Sequence, residues 1–260
     1  MTEPKGKQVS KVRILGVELD CLSAQEAVQC IEHLIQKGGA HRVFFANAHA
    51  LRLAWEDPGY RAILNSASLV LNDGTGVSWA AGRQGVRFHE NLVGTDFIPY
   101  LCRNVQDRGY RFFLLGARPG VAQAAAQALQ KQYPLLNIAG THHGYFPVEE
   151  NESVVSRIRQ ARTDVLLVGM GNPLQERWLH EYLAGTGAAM GIGVGALFDY
   201  LSGRLKRAPR WMLDRGLEWV WRLAMEPRRL WHRYLIGNWK FIWYVLHDRP
   251  EGRSPESAHL

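Results

Sequence analysis

Short apolar runs that end in glycine, asparagine or aspartate, each followed by a stretch of helical period, recur along this chain. They restrict its fold more than any other feature. Arg42-Val-Phe-Phe-Ala46 ends at Asn47, and Leu69-Val-Leu71 ends at Asn72-Asp73-Gly74. Arg111-Phe-Phe-Leu-Leu115 ends at Gly116, Asp164 to Val168 ends at Gly169, and Ala188 to Val194 forms the last such run. Runs of this length, bounded by turn residues, read as buried strands. A capping box, Ser23-Ala-Gln-Glu26, opens a helix whose apolar face is Ala27, Ile31, Leu34 and Ile35. Thr95-Asp96 is expected to cap a helix to about Gln106, and Pro119 to start one over Val121 to Gln132. A weaker strand is read at Leu136 to Ala139, with a loop from Gly140 to Pro147. Strands alternating with helices of this length predict an α/β fold, a parallel sheet covered by helices on both faces. Val12 to Leu19 adds a short hairpin or edge strand around Gly16.

In open α/β sheets ligands bind where strands end and chains turn into helices. Asp73, flanked by Gly74 and Gly76, stands at such a place, although an Asx turn or an N-cap uses the same residues. Asn47 ends the preceding strand, so the two side chains share one edge if those strands are parallel neighbours. Gly116-Ala-Arg-Pro-Gly120 fits either a phosphate contact or an ordinary turn. Gly169-Met-Gly171-Asn-Pro-Leu-Gln175-Glu176 reads as a polar rim, and Gly191-Ile-Gly193-Val-Gly195 before Phe198-Asp199 is a third glycine-rich strand end. Three such ends on one edge favour a nucleotide-sized cleft. The dinucleotide fingerprint and the Walker loop are both missing, which argues against a nicotinamide oxidoreductase. No Asp-x-Asp occurs, so a diphosphate would have to be met by arginines and helix ends rather than through a metal. His142-His143 has no matching ligands, and no metal is expected there.

Charge is uneven. The formal net charge is +7, and basic residues crowd Arg204 to Arg249 together with six of the nine tryptophans, from Trp211 to Trp243. That combination points to an anionic membrane surface, an acidic substrate or, as the rival from another class, a nucleic-acid-binding module with stacked bases. On a helical wheel Arg229, Arg233 and Lys240 fall within one arc, with Trp231, Tyr234, Leu235, Ile242 and Val245 opposite. The reading is an amphipathic helix lying in a headgroup layer. No apolar run approaches the ~18 residues of a membrane span, and Met1 to Lys11 lacks the apolar stretch of a signal peptide. Cys21, Cys30 and Cys102 have no metal spacing and suit a reducing compartment.

The chain resembles the WecG/TagA/CpsF glycosyltransferases (glycosyltransferase family 26). The residues that carry the likeness are Asn47, Leu71-Asn-Asp-Gly-Thr-Gly76, Asn91-Leu-Val-Gly-Thr-Asp96 and Gly171-Asn-Pro-Leu-Gln-Glu-Arg-Trp178. Gly193 to Gly203, Lys206 to Trp211, Gly216 to Trp219 and Glu226-Pro-Arg-Arg-Leu-Trp231 continue it, so that it runs from about residue 12 to 243. The resemblance implies a Rossmann-like core over residues 1–200, a basic and aromatic helical appendage over 201–246 that binds the membrane, and a disordered tail over 247–260. It implies an inverting transfer of a sugar, of N-acetylmannosamine or glucose type, from a UDP-sugar onto a polyprenyl-diphosphate-linked sugar. Such enzymes build surface polysaccharide, exopolysaccharide or teichoic acid.

Carried over by position, Asp73 would be the general base. Asn47, Asn72, Thr75, Asn91, Gln175, Asp199, Arg222 and Arg229 would meet substrate, and Gly116, Gly169, Gly171, Gly193 and Gly195 the nucleotide. The same resemblance implies no cofactor or metal, a peripheral place on the inner face of a bacterial cell membrane, a possible homo-oligomer and no nucleic-acid partner. Two positions depart from the family pattern. Asn91 stands where many members carry arginine, and Phe45 where teichoic-acid members carry threonine. Both lean towards an exopolysaccharide-type relative.

Overall fold

The computed structural model describes residues 10–248. The strands are β1 (Lys11–Ile14), β2 (Val17–Asp20), β3 (His41–Ala46), β4 (Leu69–Asn72), β5 (Arg111–Gly116), β6 (Asn137–His142), β7 (Val165–Gly169) and β8 (Met190–Gly193). The helices of the core are α1 (Ala24–Lys37), α2 (Ala48–Glu56), α3 (Pro58–Asn65), α4 (Thr75–Gly82), α5 (Gly94–Val105), α6 (Val121–Gln132), α7 (Asn151–Gln160), α8 (Leu174–Thr186) and α9 (Leu197–Leu201). Beyond them come α10 (Arg210–Asp214), α11 (Glu218–Met225), α12 (Pro227–Trp231), a π turn over His232–Ile236, and α13 (Gly237–His247).

Six strands form one parallel sheet in the order β4-β3-β8-β7-β5-β6. Strands covered on both faces carry apolar residues at successive positions, because neither face meets water. Phe44, Ala46, Val70, Leu115, Leu166 and Val168 pack to one side, against α2, α3, α8 and the β1–β2 hairpin. Val43, Phe45, Leu71, Leu114, Leu167 and Ile192 pack to the other, against α1, α5 and α6. The Ser23 capping box forms as expected, with both of its hydrogen bonds.

Two element ends differ from the sequence reading. The α5 cap is Val93, and Thr95 and Asp96 fall inside the first turn. That frees the Asp96 carboxylate for Arg207, whose Nη1 and Nη2 donate to it at 2.9 and 3.0 Å. Strand β6 runs on to His142 because β5 offers it a pairing edge out to Leu115.

The β1–β2 hairpin is tied to the sheet by Asp20, whose buried carboxylate accepts from the Val70 amide at 2.8 Å. Its tip is tied to the other end of the described chain, where Asp248 Oδ2 accepts from the Leu15 amide at 3.1 Å. Helix α13 lies along α2: Phe241 and Val245 enter the same core as Leu51 and Ala54. Lys240 and Tyr244 also reach Glu56.

The segment after residue 203 is therefore seated on the core rather than trailing from it. Of the tail expected over 247–260, only His247 and Asp248 are among the described residues. Residues 1–9 lie outside them too. Among the described residues, no helix is long and apolar enough to cross a membrane.

Candidate active site

A cavity of about 1300 Å³ opens along the carboxyl edge of the sheet, with the segment from α10 to α13 as its roof. That exceeds the roughly 300–1,000 Å³ of most single-ligand sites. The floor is built from strand ends, as the sheet topology requires.

β3 and β4 pair in parallel with Ala46 opposite Asn72, so Asn47 and Asp73 leave the sheet side by side. Asn47 caps α2 through Oδ1, which accepts from the Ala50 amide at 3.0 Å, and its Nδ2 donates to Asp73 Oδ2 at 3.4 Å. One side chain thus sets both the helix start and the carboxylate. Burial pushes the Asp73 carboxyl up to about 6, against the pull of the Asn47 hydrogen bond. The Glu218 charge adds to the rise, and Arg233 and Arg222 oppose it. A carboxylate whose pKa lies near neutrality is suited to taking a proton.

Asn91 Oδ1 accepts from the Gly74 amide at 2.7 Å and holds the turn after Asp73. Thr75 opens α4 on the cavity wall, with Gly216 of the roof directly over it. A Cβ on Gly216, at φ +68°, would lie 2.5 Å from Thr75 Cγ2. Phe45 lines the cavity too, edge-on to Phe97 with ring centroids 5.8 Å apart.

The middle of the floor is Gly169, Gly171, Gly193 and Gly195 with Gln175. Gln175 and Glu176 are core residues, 3% and 0% exposed, not the polar rim their types suggest. Gln175 Oε1 accepts from the amides of Gly171 and Gly195 at 3.1 and 2.9 Å. Its Nε2 donates to Glu176 Oε1 at 2.7 Å, and Asn172 Nδ2 donates to the same oxygen at 2.7 Å. Burial pushes the Glu176 carboxyl up to about 7. Gln175 is thus a staple between the two glycine turns.

Two expected contacts fall off the wall. Asn72 is fully buried, and its Nδ2 donates to the Glu90 carbonyl at 2.9 Å. Gly116 serves strand packing, because a Cβ there would lie 2.3 Å from the Gly169 carbonyl oxygen. Its neighbours Ala117 and Arg118 line the cavity instead.

Asp199 is on the wall, nearly buried, and accepts from Arg204 at 2.6 Å. Arg222 stacks over Tyr200, 5.8 Å from its centroid, and Arg229 pairs with Glu226 at 3.1 Å. Arg233, His49, Glu218 and Tyr234 also line the cavity and are not among the residues expected from sequence.

The helical wheel fails at the π turn, which adds a residue to one turn and rotates the side chains beyond it. Before it the wheel holds, with Arg229 and Arg233 on the cavity side and Trp231 and Leu235 outward at 49 and 55% exposure; beyond it Lys240 pairs outside with Glu56 while Ile242 lines the cavity and Val245 enters the core. Arg233 inside and Trp231, Leu235 and Trp239 outside is the reverse of a headgroup-facing cationic stripe. Among the described residues no three His, Cys, Asp or Glu side chains gather as a metal site.

A parallel α/β sheet with a raised-pKa carboxylate and arginines at its carboxyl edge is an arrangement suited to a group-transfer enzyme. The chain belongs to the glycosyl transferase WecG/TagA/CpsF family, whose model matches residues 12–255, and it is a glycosyltransferase. It is similar to the N-acetylglucosaminyldiphosphoundecaprenol N-acetyl-beta-D-mannosaminyltransferase of Staphylococcus aureus strain MW2. The identity is 32% over 232 residues, covering 88% of this chain and 91% of that protein. The enzyme of the same description from strain NCTC 8325 / PS 47 is 31% identical, with the same coverage.

Proposed function

We propose that the protein is an inverting, metal-independent transferase that moves an N-acetylmannosaminyl-type sugar from a UDP-sugar. The acceptor is a sugar linked through diphosphate to a polyprenyl chain, in the assembly of a bacterial surface polymer such as teichoic acid. The observation that carries this reading is Asp73: a carboxylate with pKa raised to about 6, oriented by Asn47, on the wall of a cavity roofed by arginines. The acceptor hydroxyl oxygen forms the new bond to the anomeric carbon as its proton passes to Asp73. The bond from that carbon to the UDP oxygen breaks on the opposite face, and UDP leaves with the electron pair. Arg222 and Arg229 offset the charge that develops on the leaving diphosphate.

The donor's nucleoside end fits the glycine turns of β7 and β8, with Asp199 and Arg204 beside them. The outward row of Trp231, Leu235 and Trp239 supports a peripheral seat on the inner membrane face, where aromatic rings suit the interface. A nucleic-acid role has less support, because Arg204, Arg207, Arg222, Arg229 and Arg233 of the appendage line the cavity instead of a stacking surface.

The test is UDP release from a panel of UDP-sugars, with a short-chain polyprenyl-diphosphate N-acetylglucosamine as acceptor. Acceptor-dependent release, greatest with UDP-N-acetylmannosamine, is expected. Silence across the whole panel would refute the reading.

A further inference from the structure

The sheet order separates the two ends of the cavity. Asp73 follows β4 and Asn47 follows β3, while Ala117 follows β5, four strands away from β4. At about 4.8 Å between neighbouring strands, the catalytic carboxylate and the far wall are about 19 Å apart along the edge. The roof arginines divide along the same axis. Arg222 stacks over Tyr200, which follows the central strand β8, so it stands over the middle. Arg233 stands at the β3–β4 end, where its charge is felt by His49 of α2; Asp73 feels both arginines, and Arg222 reaches it from the Tyr200 side.

Arg204, Arg207 and Arg229 are each held by a carboxylate, namely Asp199, Asp96 and Glu226. Among the described residues neither Arg222 nor Arg233 has such an ion pair, and the buried Nε of each has no hydrogen-bond partner. Arg233 is a half-buried cation whose nearest opposite charge is the Asp73 carboxylate; with no ion pair of its own, it has room for a ligand's anion. Its neighbour His49 adds no competing charge, since burial and the nearby arginines push its imidazole down to about 3. On the other side the wall turns apolar. Trp79 and Phe241 meet edge-on with ring centroids 6.5 Å apart, and Ile242 continues the lining.

We propose that Arg233 holds the diphosphate of the acceptor, in a subsite distinct from the donor diphosphate under Arg222, with the first prenyl units against Trp79, Phe241 and Ile242. This rests on the transferase reading above. In an inverting displacement the base sits on the acceptor's side of the anomeric carbon and the leaving diphosphate on the far side. A cation at the base's end of the cleft therefore serves the acceptor. The cavity then holds both diphosphates at once, which accounts for its size. Trp231 and Leu235, on the opposite side of the same helix, stay outside, and the π turn shifts the register beyond it so that Phe241 and Ile242 return to the cavity wall.

The probe is farnesyl diphosphate, titrated into the full-length protein with and without saturating UDP. The wild type should bind both together, each leaving the other's Kd within about threefold, a coupling below about 0.7 kcal/mol. Arg233→Gln should weaken farnesyl diphosphate by at least about tenfold and leave UDP within about threefold, as loss of one charge-assisted contact requires. Arg222→Gln should do the reverse, and Arg233→Lys should recover part of the loss. If Arg233→Gln is misfolded by near-ultraviolet circular dichroism, the Lys variant decides, with a farnesyl diphosphate Kd between wild type and tenfold weaker expected. Competition between the two probes for one site, or a loss of UDP instead of farnesyl diphosphate in the Arg233 variants, would overturn the assignment. Failure to release UDP from any donor would sink the transferase reading separately, while the titration still decides the subsite.

Discussion

Asp73→Asn should make the protein both less active and more stable. The carboxyl titrates near 3.8 in the unfolded chain and at about 6 in the fold, because burial penalises its charge. A raised carboxyl pKa favours the fold while the group is protonated, below its unfolded value. That contribution is lost as pH rises through about 6, so at neutral pH the ionised group works against folding. Two units correspond to about 3 kcal/mol. That figure already includes the attraction of Arg222 and Arg233; the cavity returns part of it to solvent, which leaves about 1–2 kcal/mol.

Asparagine keeps the shape and can still accept from Asn47 Nδ2. The variant should therefore melt roughly 3–6 °C above wild type at about pH 7.5, with the gap closing towards pH 4. Its turnover should fall by at least about 100-fold. Wild-type turnover should itself drop about tenfold per pH unit below 6 as the base is protonated. The assays are thermal melts across a pH series and UDP release at the same pH values. A variant that melts at or below wild type at neutral pH would refute the burial argument. Near-normal turnover would refute the base.

Gly216→Ala tests the seat of the roof: a left-handed backbone and the clash with Thr75 should cost more than about 1 kcal/mol and lower turnover with secondary structure unchanged. Undiminished turnover would show that the roof need not touch Thr75. Replacing Trp231, Leu235 and Trp239 together by serine should abolish sedimentation with anionic vesicles while turnover on a water-soluble acceptor stays within about twofold, since these side chains face outward. Retained vesicle binding would remove the membrane role of that face. Transfer should also survive excess EDTA within about twofold, as expected if arginines meet the diphosphates. A collapse that manganese or magnesium reverses would contradict it.

The features legible in the sequence are those that parallel pairing makes local. Asn47 and Asp73 can be placed on one edge because each ends an apolar run, and adjacent parallel strands bring such ends together. The Ser23 capping box is four consecutive residues and needs no tertiary partner. The failures share a non-local cause. Gln175 and Glu176 look like surface residues until two glycine-turn amides and Asn172 supply their partners. Asn72 sits in the same motif as Asp73, but a strand alternates its side chains between faces, and this one is spent on Glu90. The wheel at 100° per residue keeps Arg233 with Arg229 but has no provision for the π turn, so it misplaces Lys240, Ile242 and Val245.

The strand order also has a consequence for how the molecule is made. β8 lies between β3 and β7, yet it is the last strand to leave the ribosome. Until Gly193 has emerged, β3–β4 and β7–β5–β6 are two half-sheets, and β3 and β7 each present an open apolar edge. Such edges pair readily with other chains. Met190-Gly-Ile-Gly193 is thus a keystone, delivered late and gripped from both sides. The residues that roof the cleft, and the outward Trp231, Leu235 and Trp239, are translated later still. A nascent chain therefore acquires that exposed apolar row only after the sheet has the means to close.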